Sequence, residues 1–262
     1  MPANSGAALT MLVGAAFPGH WMYSAFMLMA LVAFVLIRRS SLVRPTVDGL
    51  RHPKSRWIPV AAFVGGMLGA KLPFLLFPSE LSSAHSPGWF ADGKTVVTGI
   101  MGAYVAVELV KAALGIRDRT GDSFAIPLAV AMSIGRLGCF FNGCCAGNVT
   151  SSSWGFDFGD HQLRHPVQLY ESTFHLFMAV VLFFNRNNVR LRHQQLKFYL
   201  LCYCLFRFLT EYIRPAPRLF GDLTFYQYAV VILAAGLLVQ WRMHSQPEPD
   251  SNAIPHNTSE GD

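Results

Sequence analysis

Residues 21–37 read WMYSAFMLMALVAFVLI and are followed at once by Arg38 and Arg39. At 1.5 Å per helical residue this uncharged run is about 25 Å long, close to the thickness of a bilayer core. Six more apolar stretches of similar length follow, at 57–77, 95–114, 123–142, 166–184, 196–213 and 223–241. The pattern predicts an all-α polytopic membrane protein with seven transmembrane helices. Across the 262 residues only 14% are charged and 52% are hydrophobic, whereas a soluble domain carries about 25% charge. That deficit excludes a disordered chain, a secreted disulfide scaffold and an ordinary cytosolic enzyme. The second stretch carries Gly65-Gly66-Met67-Leu68-Gly69-Ala70, a small-xxx-small pattern that lets helices approach closely.

The net charge of +6 is explained by where it lies. Fourteen Lys and Arg fall in the first, third and fifth loops and just after the last stretch, against four on the other side. The positive-inside rule then puts the N-terminus in the periplasm and the C-terminus in the cytoplasm. The basic loops lack the interleaved aromatic residues of a single-strand binder, so no nucleic-acid partner is expected. Residues 1–20 contain no Lys or Arg and so no signal-peptide n-region. Residues 1–244 read as one membrane domain, and the polar tail 245–262 as disordered.

Six ionisable residues remain inside the apolar stretches: Lys71, Glu108, Arg136, Glu171, Arg207 and Glu211. A charge at a helix centre costs about 2.5–3.5 kcal/mol on the insertion scale, and such residues tend to face a partner or a cavity. The topology places five of them at one depth in the outer leaflet, with Glu108 alone in the inner half. A polar cavity open to the outer face accounts for that convergence more simply than scattered structural pairs. In the sixth stretch Tyr203, Arg207, Glu211 and Arg214 are spaced four, four and three residues apart, which puts them on one helical face. Glu211 can pair there with Arg207 and with Arg214. The cluster reads either as self-satisfied or as an arginine held to receive an anion, since guanidinium grips phosphate with a bidentate fork.

The least ordinary segment is Gly135-Arg136-Leu137-Gly138-Cys139-Phe140-Phe141-Asn142-Gly143-Cys144-Cys145-Ala146-Gly147. Its glycines predict a broken helix end, with amides free for an oxygen ligand. Arg164-His165-Pro166-Val167-Gln168-Leu169-Tyr170-Glu171 follows an outer loop. Pro166 suits the first turn of the fifth helix, with Gln168, Tyr170 and Glu171 just inside the membrane.

On these residues the chain resembles the prolipoprotein diacylglyceryl transferase family, seven-helix enzymes of the bacterial inner membrane. The family signature Gly-Arg-x-Gly-Asn-Phe-x-Asn-Gly is similar to Gly135–Gly143, with Cys139 in place of Asn. Its Arg-His-Pro-x-Gln-Leu-Tyr-Glu motif matches Arg164–Glu171 in full. Its sixth-helix Tyr, Arg, Glu and Arg match Tyr203, Arg207, Glu211 and Arg214. Two departures stand out. Val97-Thr98-Gly99 occupies the place of a His-Gly-Gly motif, so the family histidine is absent. Cys144-Cys145-Ala146-Gly147 replaces Glu-Leu-Trp-Gly.

The resemblance implies transfer of a diacylglyceryl group from phosphatidylglycerol to the lipobox cysteine of a prolipoprotein. A thioether forms and glycerol phosphate leaves. Arg136 and Arg207 would stabilise the leaving phosphate. With Val97 in the histidine's place, His165 is the first candidate base and Glu171 the second. Gly138, Asn142, Gly143, Gln168, Tyr170, Tyr203, Glu211 and Arg214 would line the substrate site. Membrane lipids are the surroundings, and neither cofactor nor metal is expected. A non-catalytic phospholipid-binding protein, transfer of a different lipid group, and a thiol-redox or metal protein built on Cys139, Cys144 and Cys145 stay open as alternatives. The spacing C-x4-C-C matches no strong metal motif; a zinc site with His165 and a disulfide are weighed against tight packing, which is favoured. Cys202 and Cys204 read as core. His20, His52, His85 and His161 read as solvated, and His175 is left unassigned.

Overall fold

The computed structural model describes residues 19–40, 56–76, 95–116 and 121–244. Among them are seven α-helices: α1 (Gly19–Arg39), α2 (Trp57–Leu76), α3 (Val96–Leu114), α4 (Asp122–Phe141), α5 (Val167–Phe184), α6 (Gln195–Thr210) and α7 (Phe225–His244). The first five are long and apolar enough to cross a membrane by length and composition. The sixth has only 16 residues, and the seventh carries Gln227, Gln240, Arg242 and His244 among its apolar residues. The chain is therefore an all-α membrane protein. Residues 1–18, the basic segments 41–55 and 117–120, Lys94 and the tail expected to be disordered lie outside the described residues.

The helices pack by removing side chains where backbones meet. Gly65 and Gly69 of α2 lie on Gly102 of α3; a Cβ at Gly65 would sit 2.5 Å from the Gly102 carbonyl oxygen, and one at Gly69 would sit 2.9 Å from the Gly102 Cα. This is the small-residue seam read in the sequence. On α4, a Cβ at Gly138 would stand 2.7 Å from Phe26 of α1, beside a Phe26–Phe141 ring stack at 5.2 Å. Between α4 and α5, Ser133 and Ser172 each donate a hydroxyl to the other's carbonyl at 3.0 Å. The α6 start is held from α4, because Asp122 accepts from the amides of His193 (2.5 Å) and Gln195 (2.9 Å), donors that a helix N-terminus leaves open. Ala125, Ala129, Leu182, Tyr199, Tyr203 and Leu237 form the centre of the core. Leu28, Phe63, Leu109, Phe177 and Ile232 point outward, as lipid-facing residues would.

The connection between α4 and α5, read as a plain loop, is itself ordered. Strands β1 (Phe156–Asp157) and β2 (Leu163–Arg164) pair antiparallel, and Val149 bridges to Arg164. Phe156 and Phe158 pack on Phe140 at 4.9 and 5.7 Å, so the loop is fastened onto the end of α4. A separate cavity of about 1010 Å³ lies among α1, α2, α3, α4, α6 and α7, walled by Leu31, Phe34, Ile100, Phe124, Leu128 and Leu200 among others.

Candidate functional site

Glu171 is the fifth residue of α5, and it is fully buried. Its carboxylate ion-pairs with Arg136 from α4 and with Arg214 from the segment after α6. Arg207 of α6 stands 4.0 Å away on the same carboxylate and pairs at 2.5 Å with Glu211. Glu211 in turn accepts from the Thr224 hydroxyl at 3.0 Å. The Arg207 guanidinium also lies 5.7 Å from the Tyr226 ring centroid. Four of the five residues expected at one depth are thus brought together. Lys71 is buried on α2, which packs chiefly on α3, and the ion pairs around Glu171 do not include it.

One expected pairing is replaced. Arg214 bonds Glu171 rather than Glu211, because α6 ends at Thr210 and Glu211–Ile213 form a 3-10 turn. Arg214 is then extended (φ −108, ψ 144) and leaves the helical face that the spacing assigned to it. The cluster consequently holds three guanidiniums against two carboxylates. It also holds polar atoms without a hydrogen-bond partner among the described residues: the Tyr203 hydroxyl, the Gln168 Oε1, the Arg214 Nε and the His175 Nε2. Buried polar groups of this kind are rare in a finished core. Gln168 uses its other amide atom to hold the Cys144 carbonyl at 2.6 Å.

The segment after Arg136 departs from expectation in a specific way. Asn142 caps α4, and Gly143 takes a left-handed φ of 66. The Gly143 amide bonds Phe140 O (3.0 Å) and the Cys144 amide bonds Cys139 O (3.1 Å), which is a Schellman ending. The amides of 142–144 therefore serve the helix end and are not free for an oxygen ligand. Gly138 serves the contact with α1 and Gly143 the turn. Asn142 is the cap itself, and the Cys144 thiol lies 3.6 Å from the Cys139 carbonyl.

His165 is not brought to the cluster: its Nδ1 meets the Tyr170 hydroxyl at 3.4 Å, and its backbone pairs with Gly147 and Asn148. Glu171 is ion-paired with Arg136 and Arg214. Val97 is packed in the core. Arg164 turns to Asp160 at 2.6 Å, and this hydrogen bond holds the exposed Asp160 carboxyl below its usual range. Two neighbours went unassigned in the sequence. His175 bonds Tyr199 at 2.8 Å and lies 4.9 Å from the Tyr203 ring; only its one-turn spacing from Glu171 hinted at this. Thr224 carried no signal, since its partner is thirteen residues away.

Comparison with known proteins bears on the same residues. The family model for prolipoprotein diacylglyceryl transferase matches residues 12–242, a span that contains the whole cluster. A Coxiella burnetii protein is 30% identical over 221 residues, covering 78% of this chain and 83% of its own length. An Aeromonas salmonicida protein is 29% identical over 206 residues, 73% of this chain and 74% of its own. One from Wolbachia sp. subsp. Brugia malayi is 32% identical over 197 residues, 68% and 74% respectively. All three are named phosphatidylglycerol–prolipoprotein diacylglyceryl transferase. With the match running through nearly every described helix, and through Arg136, Glu171, Arg207 and Arg214, the chain belongs to the prolipoprotein diacylglyceryl transferase family.

Proposed function

We propose that the protein transfers the diacylglyceryl group of phosphatidylglycerol to the lipobox cysteine thiol of a prolipoprotein, forming a thioether and releasing glycerol phosphate. The observation that carries this reading is the surplus of one positive charge in a buried cluster. Three guanidiniums face two carboxylates, and a phosphodiester monoanion would complete the neutralisation. A buried charge without a counter-charge is strongly unfavourable, so the site is built for an anion. Arg136 and Arg207 would take the charge that grows on the leaving phosphate. The Arg214 Nε and the Tyr203 hydroxyl would donate to phosphate oxygens, and the Gln168 Oε1 would accept from a glycerol hydroxyl, through the atoms left unpaired. Asn142 and Tyr170 complete the rim, and Glu171 and Glu211 keep the arginines in place. The cavity among α1–α4, α6 and α7, mostly apolar but edged by Glu108, Lys111 and Gln240, would take the acyl chains along its apolar wall.

In this reading residues 1–244 form one domain of seven spans in the bacterial inner membrane. The N-terminus is periplasmic, the C-terminus is cytoplasmic, and the arginine cluster sits toward the periplasmic side. A second reading, a phospholipid-binding protein without chemistry, is favoured by one observation: Val97 in place of the family histidine. Rescue of a strain depleted of its own diacylglyceryl transferase, with an in vitro assay on phosphatidylglycerol and a lipobox peptide, separates the two. Rescue and thioether product are expected. Binding of phosphatidylglycerol without product would establish the second reading.

A further inference from the structure

The transferase reading leaves one chemical step without a residue among the candidate bases read from the sequence. The acceptor thiol must lose its proton before it attacks, since the thiolate is the nucleophile. Val97 offers no base, Glu171 is engaged by arginines, and His165 is turned to Tyr170.

Beside the cluster, the Schellman ending of α4 folds Cys144 back over Cys139, with the Cys144 amide 3.1 Å and its Sγ 3.6 Å from the Cys139 carbonyl. Cys145 then adopts φ 65, a left-handed conformation that a non-glycine residue keeps where its surroundings enforce it. The three Sγ atoms lie within 4.8 Å of one another, and all three cysteines are free thiols. Tetrahedral zinc with Zn–S of about 2.3 Å needs sulfurs about 3.8 Å apart, a spacing inside that limit. Arg136 and Arg214 are within electrostatic range of the Cys145 sulfur. His165 is not part of the group, and Cys145 is exposed, which leaves one side open.

We propose that Cys139, Cys144 and Cys145 form a three-thiolate site for a zinc-type divalent cation at the edge of the arginine cluster, with a fourth position open to the acceptor thiol. Three protein ligands and one open position are the arrangement of catalytic rather than structural zinc. A thiol that coordinates such an ion is deprotonated outright. The proposal rests on the transferase reading, and its chemistry closes. The acceptor thiol gives its proton to solvent on coordination, and its sulfur forms a bond to the glycerol carbon. The bond from that carbon to the phosphate oxygen breaks, and its electron pair departs on glycerol phosphate, which carries away the added negative charge.

The test uses full-length protein in nanodiscs, reduced and stripped of metal by a chelator. Cobalt titration should give a thiolate-to-cobalt charge-transfer band that saturates at one equivalent. Cys144→Ser and Cys145→Ser, checked for folding by thermal unfolding, should lose the band, and Cys202→Ser should keep it. Should the first two misfold, zinc protection of the wild-type cysteines against an alkylating reagent, read by mass spectrometry, replaces them. Zinc should then raise kcat/KM for transfer to a lipobox peptide at least about tenfold over the stripped protein, the scale of a modest proton-transfer contribution. No band in folded wild type, or a band that survives in both variants, overturns the site. Full transfer by stripped protein overturns the site's role and leaves the transferase reading standing. Metal bound at the three cysteines with no transfer under any condition keeps the site and removes the transferase reading.

Discussion

Two clusters of ionisable groups are set among the apolar helices, and they differ in whether their members satisfy one another. Around Glu108, each group has its partner. Lys111 donates at 3.0 Å, Gln240 donates at 3.0 Å, and the Tyr104 hydroxyl donates to Gln240. The charges cancel, and Glu108 is 36% exposed. Around Glu171 the carboxylate is fully buried, cations outnumber anions, and Tyr203, Gln168 and Arg214 keep unpaired atoms. The first cluster joins α3 to α7 along the wall of the cavity. The second keeps a positive surplus and unpaired polar atoms. Burial of charge in a membrane helix therefore does not itself distinguish the two; surplus charge together with unpaired polar atoms does.

Substitutions can break this contrast. Glu171→Ala should have the largest effect, since it leaves buried guanidiniums without their counter-ion. Breaking a buried pair costs about 3–5 kcal/mol, which should appear as loss of folded protein on gel filtration. Arg136→Gln should fold and lose transfer by about 10²–10³-fold, the range for removing one preorganised donor from a developing negative charge. Tyr203→Phe separates binding from packing. Its hydroxyl has no partner among the described residues, so thermal unfolding should be unchanged, while a lost hydrogen bond to a charged group, worth about 1.5–3 kcal/mol, should lower kcat/KM about tenfold or more. His165→Ala should keep transfer within about threefold, whereas removing a general base would cost about 10²–10⁴-fold. Glu108→Gln should do least, within about 1 kcal/mol of wild-type stability and with transfer unaffected.

The sequence carried much of this, for physical reasons that also mark where it stopped. Seven apolar stretches became seven helices, because in lipid the backbone has few other ways to satisfy its amides. The Gly65–Gly69 seam was legible because only glycine permits that approach. Arg136, Glu171, Arg207 and Glu211 were found by their cost in an apolar run, and the structure joins them. The partner of Arg214 was not legible, since a 3-10 turn after Thr210 breaks the 3.6-residue spacing on which the assignment rested. Lys71 carried the same cost, yet it sits on the α2–α3 pair. The amides after Asn142 looked free until the Schellman bonds at Gly143 and Cys144 were seen. The same turn gathers three thiols that a C-x4-C-C spacing leaves unremarkable, because the spacing does not record a left-handed residue at Cys145.

The most direct test of the central claim is the lipid preference of the folded protein, measured by native mass spectrometry with phosphatidylglycerol and phosphatidylcholine of the same acyl chains. A buried positive surplus should favour the anionic headgroup over the net-neutral one by about tenfold, equivalent to about 1.4 kcal/mol. That preference should vanish in Arg136→Gln and persist in Glu108→Gln. Equal binding of the two lipids by the wild-type protein, or a preference unchanged by Arg136→Gln, would contradict it.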